Sequence, residues 1–386
     1  MNFRPLFQLA GKRQIYRVYI SHTARSLAFS FVGVYIPIYF LTHGYNLNQV
    51  IGYYALLHGT GLLMALTVIP KLIQKFGLIR TFKINYFFEV LHLSLLFTLP
   101  FLPFSIYWIA PIAGIGVFLY WVPLNILLIK NADFDKMGTD LAMFFSLPKF
   151  FGIFGPLIGA GLVYFIGFWP TFLIALVGVL LSYLPLVGIN TEDIRVTFHW
   201  KKAWQGLRKR KKLFFLESFD NILEESEWFW GIYVFLVIGS LAVPGIAGSL
   251  AAVGSALFAL FVGKKVNQSP HNVVTITLFS LALIFLGQSL VENSLEAYVL
   301  SLAASFVFTA FLVAYTSIIY REVKGDNEEE FIILREVPTV LGRMIVFGSI
   351  ILTATNPGVY FLVPMIVALV LMIWFVYKIR REQSVA

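Results

Sequence analysis

Residues 105–129 read SIYWIAPIAGIGVFLYWVPLNILLI, a stretch without a charged side chain that is followed directly by Lys130. About 20 consecutive apolar residues are enough for a helix to cross the hydrocarbon core of a bilayer. Long apolar stretches and short polar loops alternate in this way along the whole chain, which is 59% hydrophobic and 13% charged. This composition excludes a soluble globular protein and predicts an integral membrane protein.

The apolar stretches predict an all-α integral membrane fold with twelve transmembrane helices in two pseudo-symmetric six-helix bundles. The longest polar stretch divides the chain into an N-terminal bundle (1–189), a cytoplasmic basic linker (190–212) and a C-terminal bundle (213–386). Residues 1–18 are basic and partly amphipathic, which predicts an interfacial helix before the first span. The predicted helices, 1 to 12, are 19–42, 48–69, 82–100, 105–129, 139–166, 169–188, 213–240, 243–262, 272–291, 295–320, 328–354 and 357–379.

Lys and Arg occur in the loops on one side of the predicted helices and are absent from the loops on the other side. The loops without them are 42–48, 99–104, 167–170, 239–244, 291–295 and 355–358. Cytoplasmic loops are enriched in Lys and Arg, so this pattern predicts a multi-pass protein of the plasma (inner) membrane with both termini cytoplasmic. The net charge of +9 then reflects topology and contact with anionic lipids, and no nucleic-acid partner is expected.

Two short motifs recur at similar offsets in the two predicted bundles. LPKFFG at 147–152 corresponds to VPTVLG at 337–342, and YFL before Gly44 corresponds to VFL before Gly239. Internal repeats in transporters place the binding site at the interface between the repeats, near the bilayer midplane, and allow alternating access by rocking of the halves.

With these motifs the chain resembles the major facilitator superfamily of secondary transporters. The loop PKLIQKFG at 70–77 is similar to the family's Gly-x-Leu-x-Asp-Arg-x-Gly signature, with Pro70 and Gln74 replacing its first glycine and its acid. The pattern of Gly152, Gly155, Pro156, Gly159 and Gly161 in helix 5 resembles the family's Gly-Pro motif, which is commonest among proton antiporters. The resemblance implies a monomeric carrier without a cofactor that is driven by an ion gradient, with a lean toward efflux.

Small residues on helix 5 and the loop glycine Gly77 are candidates for gating or packing. Gly152, Gly155 and Gly159 follow the spacing of one helix face, and small residues allow helix backbones to approach closely in lipid. One interpretation is a static packing seam, and the other is a smooth face that slides during the transport cycle.

Helix 7 carries the acidic residues that are most relevant to function. Glu217, Asp220, Glu224 and Glu227 lie at i, i+3, i+7 and i+10, which predicts a single acidic helix face. Glu217 and Asp220 could mark a solvated helix start, whereas Glu224 and Glu227 fall near the centre of the span. Ionisable residues at this depth are costly and therefore functional candidates. Two interpretations of the central pair are open: a proton carrier, or a permanent ion pair.

Few cations are available as partners for these acids. Arg343 lies deep in helix 11, where an ion pair or substrate contact is expected, and Glu336 of the same helix is a candidate for the substrate cavity. Arg25 of helix 1 and Arg335 could pair in the interior or extend to the cytoplasmic interface. The remaining candidates for the substrate cavity are Tyr39, Tyr120, Trp121, Asn125, Trp228 and Tyr233.

No motif of a membrane enzyme, no metal-ligand spacing and no ATP-binding loop is found, and the chain contains no cysteine. The sequence therefore predicts a non-enzymatic transporter that moves a small or amphipathic solute by alternating access, with proton coupling and efflux favoured. A lipid flippase or a uniporter of the same fold is the alternative. Membrane lipids and the transported molecule are the expected partners.

Overall fold

The computed structural model describes residues 13–102, 104–189, 198–325 and 327–383, and these contain helices and no strands. In hydrocarbon every backbone N–H and C=O must find its hydrogen bond within the protein, and a helix makes these bonds locally. Residues 1–12 of the predicted interfacial helix and residues 190–197 of the linker lie outside the described residues, as do the basic side chains of the C-terminal tail.

The prediction of twelve transmembrane helices is confirmed: twelve helical spans follow one another in the described part of the chain, numbered here 1 to 12. Spans 1, 5 and 11 are each interrupted once. The spans are Arg13–Ser30 with Tyr35–Thr42 (1), Leu47–Thr67 (2), Leu78–Thr98 (3), Ile106–Asn131 (4), Met137–Phe151 with Gly155–Ile166 (5), Phe168–Ser182 (6), Lys211–Ile238 (7), Ala242–Gln268 (8), Pro270–Ser289 (9), Ser294–Val323 (10), Glu328–Leu334 with Glu336–Leu352 (11), and Leu362–Gln383 preceded by the 3-10 turn Pro357–Phe361 (12).

Local sequence explains where several spans begin and end. Asn46 caps span 2, because its side chain accepts a hydrogen bond from the Gln49 N–H while the Gln49 side chain accepts one from the Asn46 N–H. The Asn293 side chain caps span 10 through the N–H of Glu296. Gly239 ends span 7 at a φ of 70°, a left-handed conformation that favours glycine.

Eight of the described spans are long and apolar enough to cross a membrane on length and composition alone. The other four are spans 3, 7, 8 and 11. Spans 3 and 7 carry charged residues in their interiors, the apolar segment found in span 8, Ala242–Leu257, is shorter, and span 11 is split at Arg335. Their charged side chains include Glu89 and Glu217, which are buried in the protein, as ionisable groups within spans usually are.

The two halves repeat the same pattern of helix packing. Span 1 packs on 5, span 2 on 4, and span 3 on 4 and 6; correspondingly, span 7 packs on 11, span 8 on 10, and span 9 on 10 and 12. Between the halves, span 2 packs on 11 and span 8 packs on 5. The predicted pseudo-symmetric architecture is therefore present. Its interface includes spans 2, 5, 8 and 11, and span 10 also packs on span 5 and span 4 on span 11.

Two short helices on the polar side of the bundle were not predicted. Ile69–Phe76 follows span 2 and includes the PKLIQKFG motif up to Phe76, and Trp200–Lys209 forms most of the described linker. The Gln74 side chain donates a hydrogen bond to the Phe198 carbonyl (2.7 Å), and the His199 N–H donates one to Glu330 of span 11 (3.3 Å). The linker therefore contacts both halves. Short amphipathic helices of this kind give no long apolar stretch, which is why counting such stretches misses them.

Candidate functional site

A cavity of about 140 Å³ lies between the two halves. Spans 4 and 5 line it from the N-terminal half, and spans 7, 10 and 11 line it from the C-terminal half. Apolar and aromatic side chains with a few convergent polar groups are typical of small-molecule sites. The lining residues are Val117, Phe118, Trp121, Asn125, Phe145, Glu217, Asp220, Asn221, Glu224, Leu312, Thr316, Tyr320, Arg335, Glu336, Thr339 and Arg343.

The acidic face of span 7 contributes three carboxyl groups to this cavity: Glu217, Asp220 and Glu224. The first two are buried, with 3% and 6% exposure, so the interpretation that they mark a solvated helix start is wrong. Glu227 does not line the cavity, and its Oε1 atom is buried without a hydrogen-bond partner. It lies almost one turn beyond Glu224 and directly precedes Trp228, which packs on span 2 across the interface.

Arg343 connects span 11 to span 7 and to the other half of the molecule. Its guanidinium lies 3.2 Å from a carboxylate oxygen of Glu225 and 3.5 Å from one of Glu224, and 3.1 Å from the Nδ1 atom of His58 in span 2. The Glu224 side chain is 44% exposed and that of Glu225 only 7%. Glu225 does not share the i, i+3, i+7 and i+10 spacing of the acidic face, and only the position of Arg343 shows that it is an ion-pair partner.

Arg335 is held inside the protein and does not extend to an interface. It lies 3.9 Å from Glu217 and its guanidinium carbon lies 5.8 Å from the centre of the Tyr320 ring. The pair joins the break of span 11 to the acidic face of span 7. Both arginines of the cavity thus face carboxylates of the same half.

Two further carboxyl groups of the cavity, Asp220 and Glu336, form no ion pair among the described residues. Each is 6% exposed, and the Oδ1 atom of Asp220 is buried without a hydrogen-bond partner. The lining therefore contains four carboxyl groups (Glu217, Asp220, Glu224 and Glu336) against two arginines. The described residues contain no group of three His, Cys, Asp or Glu side chains that could hold a metal ion.

Arg25 and Tyr120, two candidates from the sequence, lie inside the N-terminal half and not in the cavity. Arg25 pairs with Glu89 of span 3 at 2.5 Å, and its guanidinium carbon lies 3.7 Å from the centre of the Tyr120 ring. The Tyr120 hydroxyl contacts His22. Arg25 is 9% exposed, so the alternative that it extends to the interface is wrong, and it is a buried ion-pair residue between spans 1, 3 and 4.

The other polar and aromatic candidates divide between the cavity and the packing of the bundles. Trp121 and Asn125 of span 4 line the cavity. Trp228 instead packs across the interface on a tyrosine of span 2, with ring centroids 4.2 Å apart. Tyr39 and Tyr233 pack within their own halves against phenylalanines of spans 6 and 12. Trp228, Tyr39 and Tyr233 are therefore not among the residues that line the cavity.

Contacts between the halves exist on both sides of the cavity. At the end without Lys and Arg in its loops, called here the uncharged end, the Tyr35 hydroxyl donates a hydrogen bond to the Leu241 carbonyl at 3.2 Å. At the other end, called the basic end, Lys130 pairs with Glu329, and the Asn267 side chain accepts a hydrogen bond from a backbone N–H of span 5 at 2.8 Å. The cavity thus lies between two sets of contacts.

The small residues predicted for gating or packing in span 5 lie in contact with spans 1 and 8. A Cβ atom at Gly155 or Gly159 would overlap a serine side chain or a backbone carbonyl of span 1. Pro156, on a neighbouring face, contacts glycines of span 8 in the other half. Gly152 lies at the interruption of span 5, and Gly77 turns the chain into span 3 at a φ of 84°. Close packing is therefore present, and the sliding role stays a prediction.

The fold is similar to that of solved transporters of the major facilitator superfamily. The E. coli transporter FucP, a fucose:proton symporter, has a TM-score of 0.68 in its outward conformation at 12% identity, over 94% of this chain and 98% of that chain. The human organic anion transporter MFSD10 gives 0.66 at 12% identity, over 94% and 99% of the two chains. A mutant of the nucleoside transporter NupG gives 0.66 at 14% identity, with the same coverage.

No protein-family model matches the sequence, and no curated protein matches it. The likeness to the solved structures covers nearly all of each chain, but at 12 to 14% identity it shows the fold alone. The chain therefore has the major facilitator fold, as the sequence motifs predicted.

Proposed function

We propose that this chain, which has the major facilitator fold, is a secondary active transporter that moves a small or amphipathic solute by alternating access, with proton coupling and in the direction of efflux. The observation that carries the proposal is the charged cavity between the halves, with contacts between the halves on both sides of it. A rocking motion that breaks one set of contacts and keeps the other would open the cavity toward one side of the membrane only.

Glu224 is the proposed site of proton coupling. Its side chain is the most exposed of the carboxyl groups facing Arg343, and it shares that arginine with the buried Glu225. Protonation of Glu224 would remove one of the two negative charges that hold Arg343. Because Arg343 also contacts His58 in the other half, the change in charge would act on the interface that must open.

The direction and the membrane follow from sequence features. The Gly-Pro pattern around Pro156 resembles that of antiporters, and the Lys- and Arg-rich loops favour the cytoplasmic side of the plasma (inner) membrane for both termini. The carboxylates and arginines of the cavity would be costly against acyl chains, which favours a polar or amphipathic solute over a lipid. A gradient is the energy source, and no cofactor is required.

The test is transport in proteoliposomes with a panel of cationic, anionic and neutral solutes, with and without an imposed pH gradient. We expect flux of at least one solute that the gradient accelerates, and we expect Glu224→Gln to abolish this acceleration. Glu292→Gln, at an exposed acidic residue of the loop between spans 9 and 10, is the matched control and should behave like the wild type. Flux that is unaffected by both the pH gradient and Glu224→Gln would identify a uniporter or a flippase. Absence of any flux would contradict the proposed transport.

A further inference from the structure

The charges that line the cavity do not balance, and this imbalance identifies the class of substrate. Arg335 faces Glu217, and Arg343 faces Glu224 together with Glu225. No arginine of the cavity is therefore left over to receive an anionic substrate.

Two carboxyl groups remain after this pairing, one on each of two neighbouring spans. Asp220 of span 7 and Glu336 of span 11 both line the cavity and are both 94% buried, since each is 6% exposed. Asp220 directs into this site a side chain whose Oδ1 atom is buried without any hydrogen-bond partner. A buried carboxylate without a partner is unfavourable unless a proton or a cation neutralises it.

The rest of the lining suits an organic cation better than a metal ion. Trp121, Phe118 and Phe145 supply aromatic faces from the N-terminal half, opposite the carboxyl groups of the C-terminal half. Aromatic faces attract ammonium groups and pack against apolar bodies. The described residues offer no set of three metal ligands at the cavity.

We propose that the substrate is an organic cation, a protonated amine or quaternary ammonium group on an aromatic or apolar body, bound with its charge between Asp220 and Glu336 and its body against Trp121. This inference rests on the proposed function and adds the chemical class of the substrate. A neutral solute would leave both carboxyl groups without an ion pair, and an anion would add to the excess of negative charge.

The experiment compares three probes with the same ring and chain length: phenethylammonium, phenylacetate and 2-phenylethanol. Binding to the purified full chain in detergent is measured by calorimetry, with benzyltrimethylammonium as a cation that cannot donate a hydrogen bond. We expect both cations to bind, phenylacetate not to bind, and the neutral alcohol to bind at least tenfold more weakly than phenethylammonium.

Variants then test whether Asp220 and Glu336 bind the positive charge of the probe. Asp220→Asn and Glu336→Gln should each weaken phenethylammonium binding at least tenfold and leave the weak binding of 2-phenylethanol unchanged, because each removes one of the two negative charges that would face the ammonium group. Asp220→Glu should retain part of the affinity, and Glu292→Gln should retain all of it. Thermal melting of each variant shows that loss of binding is not loss of folding.

Three results would overturn the inference: preferred binding of phenylacetate, equal binding of the neutral alcohol, or no binding of either cation to a protein with wild-type melting. These outcomes are separate from a failure of the proposed function. Gradient-driven flux of a neutral or anionic solute that persists in Asp220→Asn would support the proposed transport and contradict a cationic substrate. Cation binding that depends on Asp220, without flux in proteoliposomes, would support the cation site and contradict the proposed transport.

Discussion

Substitution of Gly245 by alanine should shift the protein away from the conformation closed at the uncharged end. Gly245 lies in span 8, and an added Cβ would meet the Tyr35 hydroxyl, the Ala160 Cβ at 2.6 Å and the Pro156 carbonyl oxygen at 2.7 Å. Ordinary van der Waals contact begins near 3.4 Å. All three neighbours belong to spans 1 and 5 of the other half, so the overlap disappears when the halves separate at this end.

The size of the effect follows from the overlap. One of the three atoms is a backbone oxygen and another is a Cβ, neither of which can move away by a change of rotamer. Inserting a methyl group into such a packed contact costs about 1–3 kcal/mol. Because 1.4 kcal/mol corresponds to a factor of ten, the equilibrium between the closed and the open uncharged end should shift toward the open one by roughly 5- to 140-fold.

The absence of cysteine in the chain allows this shift to be measured directly. Leu102→Cys and Glu292→Cys place one spin label in an exposed loop of each half at the uncharged end. Pulsed electron paramagnetic resonance should show a longer distance in Gly245→Ala than in the parent. The control is Gly161→Ala, where nothing lies within 4 Å of the added Cβ. An unchanged distance in a folded Gly245→Ala protein, or an equal shift in the control, would refute the reasoning.

Two further predictions concern stability. Glu89→Gln leaves Arg25 as an unpaired buried charge and should lower the free energy of unfolding by about 3–5 kcal/mol, whereas replacing both residues by methionine should lower it less, since no charge then remains buried. Thermal melting in detergent measures both variants, and a wild-type melting temperature for Glu89→Gln would contradict the assignment of the pair. Gly114→Ala should lower the melting temperature, because its Cβ would overlap a backbone carbonyl of span 2 and overpacking costs about 1–3 kcal/mol. Gly59→Ala, with nothing within 4 Å, should leave the melting temperature nearly unchanged, and equal losses in both variants would argue against the close packing.

The spans could be predicted from the sequence because the hydrocarbon core imposes a local rule. Each backbone segment in lipid must be helical and apolar over about 20 residues, so the ends of most predicted helices agree with the structure to within a few residues. The acidic face of span 7 could also be predicted in part, because helical periodicity relates Glu217, Asp220 and Glu224 without reference to any other span. The breaks within spans 1, 5 and 11 were not predicted.

The partners of the charged residues could not be predicted, because they lie on spans that are far apart in the chain. Arg343 contacts His58 at a separation of 285 residues, and Arg25 pairs with Glu89 at a separation of 64. Apolar periodicity contains no information on which helices pack together in lipid, where the hydrophobic effect does not drive helix association. The same limit explains why Tyr39, Tyr120 and Tyr233 were expected in the cavity, whereas the structure places these three residues elsewhere.

The sequence by itself determined the class of the protein, its twelve spans, its basic and uncharged ends and its six-plus-six repeat. These features follow from the free energy of transferring each segment from water into lipid, which depends on the residues of that segment alone. Only the tertiary structure decided which carboxyl groups meet in one cavity, which of them have an arginine, and that Asp220 and Glu336 have none. Those facts depend on distances between helices, and the packing of small residues and buried ion pairs sets these distances.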